Sequence, residues 1–239
     1  MSDNIIITGA GSEIGLAICR EIVKPGDYAV LQYYRNKEPL LRFCEESGGS
    51  CEPVSVDFND MDQLDLFTQK RHDIDILING AAVTRAELLP FLKDDDITRM
   101  LNVNILAAVK LCRAVIPGMM SRRRGIIVNI SSAAALRGNR GQSVYAGTKG
   151  FIESFTRSMA AEYGGRGIRV NAVAPGAIEA GSLKELLAYG EKEVKESIVS
   201  KRLGTPEDVA AVVAFLCSEN ASFINGKSIG VDGGFCRGV

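Results

Sequence analysis

A tyrosine and a lysine four residues apart, Tyr145 and Lys149 in "VYAGTKG", have types and spacing suited to acid–base chemistry. On a helix, this spacing places both side chains on one face. The pKa of a tyrosine is about 10, too high for efficient proton transfer at neutral pH. A lysine ammonium within about 4 Å, at an effective dielectric near 20, favours the phenolate by roughly 4 kcal/mol, or about three pKa units. The alternative is an ordinary solvated helix face with the same spacing.

A serine completes a possible proton-transfer group. Ser132 lies thirteen residues before Tyr145, at the end of the apolar run "IIVNISS". Its hydroxyl could donate a hydrogen bond to a substrate carbonyl, but Ser132 and its neighbour Ser131 could also cap the end of a strand. The single histidine, His72, lies in the charged segment "KRHDIDILI", and we expect it at the surface. A Ser-His-Asp triad and a multi-histidine metal centre are therefore excluded, and we expect no metal.

A glycine-rich loop, "TGAGSEIG" from Thr8 to Gly15, follows the apolar run "NIII" and precedes a helical pattern. Glycine allows tight turns and close backbone approach, and a helix N-terminus offers peptide N–H groups to a pyrophosphate. The loop departs from the generic G-x-G-x-x-G fingerprint, so a purely structural turn is the alternative. A carboxylate at Glu13 would repel a pyrophosphate. We therefore expect its side chain to point to solvent and to leave the phosphates to the backbone.

The elements that must position these residues alternate between strand and helix patterns. The predicted strands are "NIIIT", "YAVLQYY", "CEPVSV", "IDILIN", "GIIVNIS", "IRVNAVA" and "KSIGV". The predicted helices lie near residues 12–24, 38–47, 60–71, 94–120, 144–163 and 206–218. Continuous apolar strands alternating with helices predict an α/β fold, a Rossmann-like doubly wound parallel sheet of about seven strands with helices on both faces. In such a sheet the ligand site lies at the carboxyl ends of the strands.

The domain organisation is simple, because no repeat, linker or change of composition divides the chain. We expect a single domain over residues 1–239. One polar helical segment, 176–204, interrupts the alternation after the sixth strand. We interpret it as a substrate lid, with a surface helical hairpin as the alternative.

Composition and charge restrict the partners. The chain has 239 residues, is 46% hydrophobic and carries a net charge of −1, which gives no reason to expect a nucleic acid or a membrane as partner. We find no apolar segment long enough to span a bilayer and no signal-like N-terminus, and we expect a cytoplasmic protein. The six cysteines are scattered without a C-x-x-C pair, which favours reduced thiols.

Several motifs together resemble the short-chain dehydrogenase/reductase family from "IIITGAG" to "SIGVDGG". The loop is similar to T-G-x-x-x-G-x-G at Thr8, Gly9 and Gly15, with Glu13 in place of the middle glycine. Ser132, Tyr145 and Lys149 match S…Y-x-x-x-K, and Asn104 in "LNVNIL" matches the family's fourth catalytic residue. "INGAA" occupies the place of the family's N-N-A-G motif and differs from it at Gly80 and Ala82. "VAPGAIEA" matches P-G-x-I-x-T, with Ala180 where a threonine often binds the nicotinamide carboxamide.

The resemblance implies hydride transfer between a nicotinamide cofactor and a carbonyl/alcohol pair. Tyr145 would be the general acid in reduction, and Ser132 would hold the reacting oxygen. Lys149 would lower the pKa of Tyr145 and bind the nicotinamide ribose, while Asn104 would anchor a water that links Lys149 to bulk solvent. The resemblance also implies these cofactor-binding residues: Thr8, Gly9, Gly11, Ser12, Glu13, Ile14, Gly15, Tyr34, Arg35, Asp57, Phe58, Asn79, Gly80, Ala81, Tyr145, Lys149, Pro175, Gly176 and Ile178.

The choice between NADP and NAD depends on "QYYRNKE" after the second strand. An NAD enzyme usually has an acid here for the ribose 2′-hydroxyl, whereas this chain has Tyr34 followed by Arg35. A guanidinium without a carboxylate suits a 2′-phosphate. We therefore expect NADP(H) to be preferred, with NAD(H) possible, although Arg35 and Lys37 could also be plain solvated cations and Ser12 lacks the basic side chain of many NADP-preferring relatives.

Within the family, the likeness is greatest to reductases of 3-oxoacyl thioesters on acyl carrier protein. The tail "RLGTPEDVAAVVAFLCSENASFINGKSIGVDGG" and "GMMSRRRGIIVNISS" carry it. Arg123 and Arg166 match carrier-docking arginines, which we expect beside the mouth of the active site, although loop arginines also serve solubility. A dehydrogenase of a free alcohol, sugar or ketone is the alternative, and a non-catalytic NADP-binding sensor or scaffold is a third. The resemblance also implies a homotetramer.

Overall fold

The computed structural model describes residues 2–71, 73–181 and 191–236. Seven parallel strands form one sheet in the order β3-β2-β1-β4-β5-β6-β7. The strands are β1 (Asn4–Thr8), β2 (Tyr28–Tyr33), β3 (Ser50–Ser55), β4 (Ile76–Asn79), β5 (Gly125–Ile130), β6 (Ile168–Pro175) and β7 (Ser228–Val231). The predicted α/β class and doubly wound sheet are confirmed. All seven predicted strands occur, within two residues of their expected ends.

Helices cover both faces of the sheet. They are α1 (Glu13–Ile22), α2 (Glu38–Glu46), α3 (Met61–Gln69), α4 (Asp94–Leu101), α5 (Ala107–Arg122), α6 (Ser143–Tyr163), α7 (Glu191–Ser197) and α8 (Pro206–Cys217). Alternate residues of the central strand face opposite layers. Ile5 and Ile7 pack with α1, α2 and α8, whereas Ile6 packs with α3, α5 and α6. This alternation follows from the two-residue period of a strand and explains why the strand is apolar throughout.

The predicted single helix at 94–120 is wrong in one respect. A π-helical turn, Asn102–Leu106, separates α4 from α5. Such turns widen the helix by one residue and are frequent at functional sites. Here the turn contains Asn104, whose buried amide makes bonds outside the helix. Apolar periodicity does not report this insertion, because it continues across both helices.

The run Asp94–Arg122 also corrects the expectation that no apolar segment could span a bilayer. By length and composition it could do so, and half of its most apolar stretch is buried inside the molecule. A core helix of a globular protein has the same properties, and α5 packs on the sheet through Leu111, Val115 and Met119.

The segment 176–204 is described only in part, since residues 182–190 of the expected lid lie outside the described residues. At its start, the peptide N–H of Glu179 donates to Gly204 O at 2.8 Å. At its end, Ile198 and Leu203 form a small cluster with Phe235 of the C-terminal stretch. Both ends of the segment therefore pack on the domain at the carboxyl edge of the sheet.

Candidate active site

The carboxyl ends of β1 and β4 lie side by side at the point where the strand order reverses, with Thr8 paired in register with Asn79. The Thr8 hydroxyl accepts hydrogen bonds from the peptide N–H groups of Gly80 at 3.0 Å and Ala81 at 3.1 Å. Thr8 therefore joins the glycine-rich loop to the loop after β4. Crevices at such reversal points are where open α/β sheets bind their ligands.

The glycine-rich loop is compact because its glycines touch backbone. Gly9 has a φ of +69°, and a Cβ there would lie 2.9 Å from the carbonyl carbon of Gly80. A Cβ at Gly15 would lie 2.2 Å from Gly9 O. Ser12 caps α1 by accepting from the Gly15 N–H at 3.0 Å. Within the described part of the chain the Ile14 N–H has no acceptor, so the loop fits an anionic group such as a pyrophosphate.

Glu13, the departure from the family pattern, is exposed and makes a specific contact. Its Oε2 accepts a hydrogen bond from the peptide N–H of Gly181 at 2.7 Å. Gly181 follows β6, so the contact joins the loops after β1 and β6. The carboxylate thus leaves the peptide N–H of Ile14 to a ligand, but it is tied to the protein rather than extended into solvent.

The side chains of Ser132, in the loop after β5, and Tyr145, in the first turn of α6, are neighbours. Ser132 also caps a short 3₁₀ turn by accepting from the Ala134 N–H at 3.1 Å. Burial raises the pKa of Tyr145, and the neighbouring hydroxyl of Ser132 opposes that rise. The expected lowering of this pKa by Lys149 is not met in this structure. The phenol is held in its protonated form.

Lys149 is buried one turn along α6. Its Nζ donates to Ile130 O, at the end of β5, at 2.7 Å and lies 5.9 Å from the centroid of the Tyr145 ring. Ile130 O is its one acceptor within the described residues, and an ammonium has three protons to donate. Burial lowers the pKa of Lys149 to about 8, and the carboxylate of Glu153 partly offsets this. Ser131, by contrast, is structural, since its hydroxyl donates to Lys149 O at 3.3 Å.

Asn104 holds the surroundings of Lys149 in place. Its Oδ1 accepts from the Val83 N–H at 2.8 Å, and its Nδ2 donates to Val83 O at 2.9 Å and Thr148 Oγ1 at 3.0 Å. This side-chain amide is satisfied by protein. A water bound at Asn104, as the resemblance implies, could use the second lone pair of Oδ1, since both Nδ2 protons are already donated.

A cavity of about 10 Å³, large enough for about one water, lies between Asn104, Lys149 and Asn79. The buried Oδ1 of Asn79 has no hydrogen-bond partner among the described residues, while its Nδ2 donates to Asn129 Oδ1 at 2.8 Å. An unpartnered acceptor beside a lysine is a suitable site for that water. Asn79 thus lines the same cavity as Lys149 and stands in register with Thr8.

The residues after β2 form a cationic patch at the same edge. The guanidinium carbon of Arg35 lies 4.7 Å from the centroid of the Tyr34 ring. Arg99 of α4 approaches the same ring at 5.5 Å. Sequence reasoning missed Arg99, because nothing local relates α4 to the end of β2. Asn36 ties this loop to the phosphate loop by donating to Gly11 O at 3.1 Å.

The remaining residues that are expected to bind the cofactor lie in the loop after β3 and around the end of β6. Asp57 accepts from the Asn59 N–H at 2.9 Å, and the buried Phe58 packs against Phe67 and lines the small cavity beside Lys149. The Gly176 N–H donates to Val231 O at 3.0 Å. Ile178 is buried and bridges to Gly204, and Pro175 ends β6.

The expected docking arginines are brought together, but not beside the active site. Arg123 precedes β5 and Arg166 precedes β6, at the amino edge of the sheet. Arg123 donates to Gly165 O at 3.2 Å, next to Arg166. Ser132 and Tyr145 lie at the opposite edge, roughly 20 Å away along β5. The expectation that Arg123 and Arg166 lie beside the mouth of the active site of their own chain is therefore wrong, because each arginine precedes its strand rather than follows it.

The described residues contain no group of histidine, cysteine and acidic side chains that could hold a metal ion. All six cysteines are free thiols. Burial raises the pKa of Cys112 to about 12, and it raises that of Cys19 far above its ordinary range. His72, expected at the surface, lies outside the described residues.

Comparison with known proteins agrees with this geometry. A family profile described as enoyl-(acyl carrier protein) reductase matches residues 9–236. The 3-oxoacyl-[acyl-carrier-protein] reductase FabG of Thermotoga maritima is 36% identical over 235 residues, covering 96% of both chains. A solved structure from Beutenbergia cavernae, named as an NAD(P)-dependent gluconate 5-dehydrogenase by assignment and holding NADP at low occupancy, superposes with a TM-score of 0.91 at 31% identity, covering 98% of this chain and 96% of that one.

A third relative is a solved 3-oxoacyl-[acyl-carrier protein] reductase of Brucella melitensis. It has a TM-score of 0.88 and 32% identity, and the match covers 97% of this chain and 90% of that one. These matches span nearly the whole chain and include the loop, the strand ends and α6. The chain belongs to the short-chain dehydrogenase/reductase family of NAD(P)-dependent oxidoreductases.

Proposed function

We propose that the chain catalyses NADPH-dependent reduction of a 3-oxoacyl thioester, carried on acyl carrier protein, to the 3-hydroxyacyl form. The observation that carries the proposal is the convergence of the Ser132 and Tyr145 side chains beside the buried Lys149, whose Nζ lies 5.9 Å from the centroid of the Tyr145 ring. The 36% identical FabG supports the substrate class. The glycine-rich loop and the peptide N–H groups at the start of α1 fit the dinucleotide.

Each residue of the site has a defined task in this reaction. The nicotinamide, when bound, supplies the hydride. Tyr145 donates its phenolic proton to the carbonyl oxygen, and the raised pKa of the phenol keeps that proton available. Ser132 donates a hydrogen bond to the same oxygen and stabilises the negative charge that develops on it. Lys149 holds the ribose with the protons that Ile130 O does not accept, and Asn104 keeps the loop after β4 against α6.

The cofactor is NADP(H). Arg35 beside Tyr34 offers a guanidinium, and no carboxylate side chain follows β2 at the position that would bind a free 2′-hydroxyl. The bound NADP of the solved gluconate 5-dehydrogenase supports this assignment. We expect NAD(H) to bind as well, but more weakly than NADP(H).

A carrier-protein partner restricts where the acyl group enters. Arg123 and Arg166 lie opposite Tyr145 of their own chain. A carrier bound there would have to deliver its thioester to another subunit, so this part of the proposal depends on the homotetramer. The proposed enzyme is cytoplasmic and soluble and has no nucleic-acid or membrane partner.

Reduction of a sugar acid or another free ketone is the second candidate. The observation that favours it is the likeness to the gluconate 5-dehydrogenase, at a TM-score of 0.91. The chemistry at Tyr145 is the same, and only the groups that hold the rest of the substrate differ.

The test measures NADPH oxidation with an acetoacetyl thioester on carrier protein, the same thioester on coenzyme A, and 5-keto-gluconate. We expect the carrier-bound thioester to have the largest kcat/KM, and Tyr145→Phe to lower kcat by at least about a thousandfold with the Kd for NADPH unchanged. A larger kcat/KM for 5-keto-gluconate would replace the proposal by the second candidate. Tight NADPH binding without turnover of any carbonyl would indicate a sensor. Full activity of Tyr145→Phe would refute the mechanism.

A further inference from the structure

Two guanidinium groups from distant parts of the chain converge on one exposed aromatic ring. Arg35 follows β2 and Arg99 belongs to α4, and their guanidinium carbons lie 4.7 and 5.5 Å from the centroid of the Tyr34 ring. Arg35 also donates from Nη2 to the Tyr34 hydroxyl at 3.4 Å. The Tyr34 side chain is 41% exposed, so a ligand can reach the surface that the two cations share.

Neither cation makes an ion pair with a carboxylate in the described part of the chain. For Arg99 this is informative, because Asp95 lies four residues earlier on α4, at the spacing that usually forms ion pairs. Another arginine, Arg85, pairs with Asp96 at 3.8 Å. Arg99 instead lies over Tyr34, where it adds to the positive charge of Arg35.

Two cations held at one ring repel each other unless an anion lies between them. Guanidinium groups bind phosphate oxygens through paired N–H donors, so a phosphate dianion is the ligand whose chemistry fits best. The loop that carries Tyr34 and Arg35 is tied to the phosphate loop by Asn36, whose Nδ2 donates to Gly11 O. The cationic patch therefore adjoins the proposed pyrophosphate site and lies at the end of β2, where a dinucleotide places its adenosine ribose.

We propose that Arg99 is a second cation for the 2′-phosphate of NADP(H), and that with Arg35 it determines the preference for NADPH over NADH. This inference rests on the proposed function, because it assumes that the dinucleotide binds along the carboxyl edge of the sheet. Arg99 reaches the ligand from α4, the helix that leads into Asn104. The 2′-phosphate is thereby held from both sides of the crevice.

The experiment measures the Kd of NADPH and of NADH separately, by cofactor fluorescence, for the full chain and three variants. Arg99→Met removes the charge and keeps the apolar stem, while Arg99→Lys keeps the charge without the planar fork. Arg42→Met, an exposed cation of α2 that has no contact with Tyr34, is the matched control for the loss of one positive charge. Thermal unfolding checks that each variant is folded.

We expect Arg99→Met to raise the Kd of NADPH about tenfold and that of NADH less than about twofold. Arg99→Lys should lie between Arg99→Met and the unaltered chain, and Arg42→Met should change neither Kd by more than about twofold. The difference for NADPH should shrink at high salt.

Equal weakening of NADPH and NADH binding by Arg99→Met would overturn the inference, since it would assign Arg99 to the adenosine or to Tyr34 alone. An unchanged Kd for both cofactors would overturn it as well. These results differ from a failure of the proposed function, in which the unaltered chain itself would not bind NADPH or would not prefer it to NADH.

Discussion

At the scale of single residues, burial sets the chemistry of the site. Tyr145 and Lys149 are four residues apart on α6, yet the structure holds the lysine Nζ on Ile130 O, 5.9 Å from the centroid of the tyrosine ring. Burial raises the pKa of the phenol and lowers that of the ammonium to about 8. Both shifts favour the neutral forms, and a cofactor ribose that accepts from Nζ would favour the charged lysine again.

The lowered pKa of Lys149 makes the stability of the protein depend on pH. Since the pKa falls from 10.5 when unfolded to about 8 when folded, the unfolded chain binds more protons between these values, and the free energy of unfolding rises with pH there. Burying this charge costs on the order of 3 kcal/mol at pH 7. Lys149→Met should therefore be more stable than the unaltered chain at pH 7, with the difference shrinking towards pH 10.

Urea unfolding of both proteins at pH 7 and at pH 9.5, without cofactor, checks this prediction. Lys227→Met, at an exposed lysine just before β7, is the control and should show no comparable gain. A Lys149→Met variant less stable than the unaltered chain at both pH values would contradict the prediction, because the bond to Ile130 O would then outweigh the cost of burial.

At the scale of elements, the loops after the strands decide which residues meet. The sequence patterns predict all seven strands, because each is apolar and bounded by polar or glycine-rich segments. They do not predict the π-helical turn Asn102–Leu106, since the apolar pattern runs through it. The tie between Glu13 and Gly181 is likewise beyond local patterns, because these residues are 168 positions apart.

The contact of Glu13 with Gly181 joins the first turn of α1 to the loop after β6, beside the proposed pyrophosphate. A glutamine there keeps an oxygen that can accept from the Gly181 N–H and removes a charge that repels phosphate. We expect Glu13→Gln to lower the Kd of NADPH by about five- to tenfold, and Glu13→Ala to bind NADPH less tightly than Glu13→Gln because the loop loses its tie.

Isothermal calorimetry with NADPH measures these effects. Glu179→Gln removes the same charge from an exposed position two residues before Gly181 and serves as the control, with a Kd within about twofold of the unaltered chain. Weaker binding of NADPH by Glu13→Gln would show that the carboxylate itself helps to hold the cofactor.

At the scale of the whole molecule, large apolar side chains remain exposed along α4, α5 and α6 and close to β7. Leu101 and Leu106 lie at the junction of α4 and α5, and Phe151 on α6 stacks with Phe155 at 5.5 Å. Phe223, shortly before β7, is fully exposed. Exposed apolar groups of this size are typical of protein–protein contact surfaces.

We expect the unaltered chain to be a homotetramer and Phe223→Asp to weaken its assembly by roughly thirtyfold or more, since a buried phenylalanine contributes about 2–3 kcal/mol to an interface. Size-exclusion chromatography with light scattering over a range of dilutions measures the mass. Leu41→Asp, at an exposed leucine of α2, which packs on α1 and β3 at the end of the sheet opposite β7, should leave assembly unchanged. A monomeric unaltered chain, or a Phe223→Asp variant with the same mass at every dilution, would contradict the prediction.

The sequence by itself predicted the seven strands, the glycine-rich loop and the pairing of Tyr145 with Lys149 on one helix face, because apolar runs, glycine spacing and a separation of one helical turn are short-range regularities. The other two proposed catalytic residues, Ser132 and Asn104, took their roles from the resemblance to the family. Only the tertiary structure decided what surrounds them. Arg99 reaches Tyr34 and Glu13 reaches Gly181, because elements that are adjacent in the folded molecule are distant in the chain. Arg123 and Arg166 lie at the edge of the sheet opposite Tyr145, because a residue that precedes its strand lies at the amino edge and one that follows it lies at the carboxyl edge. Burial, which sets the pKa values of Tyr145 and Lys149, is also a property of the packed molecule and not of any local segment.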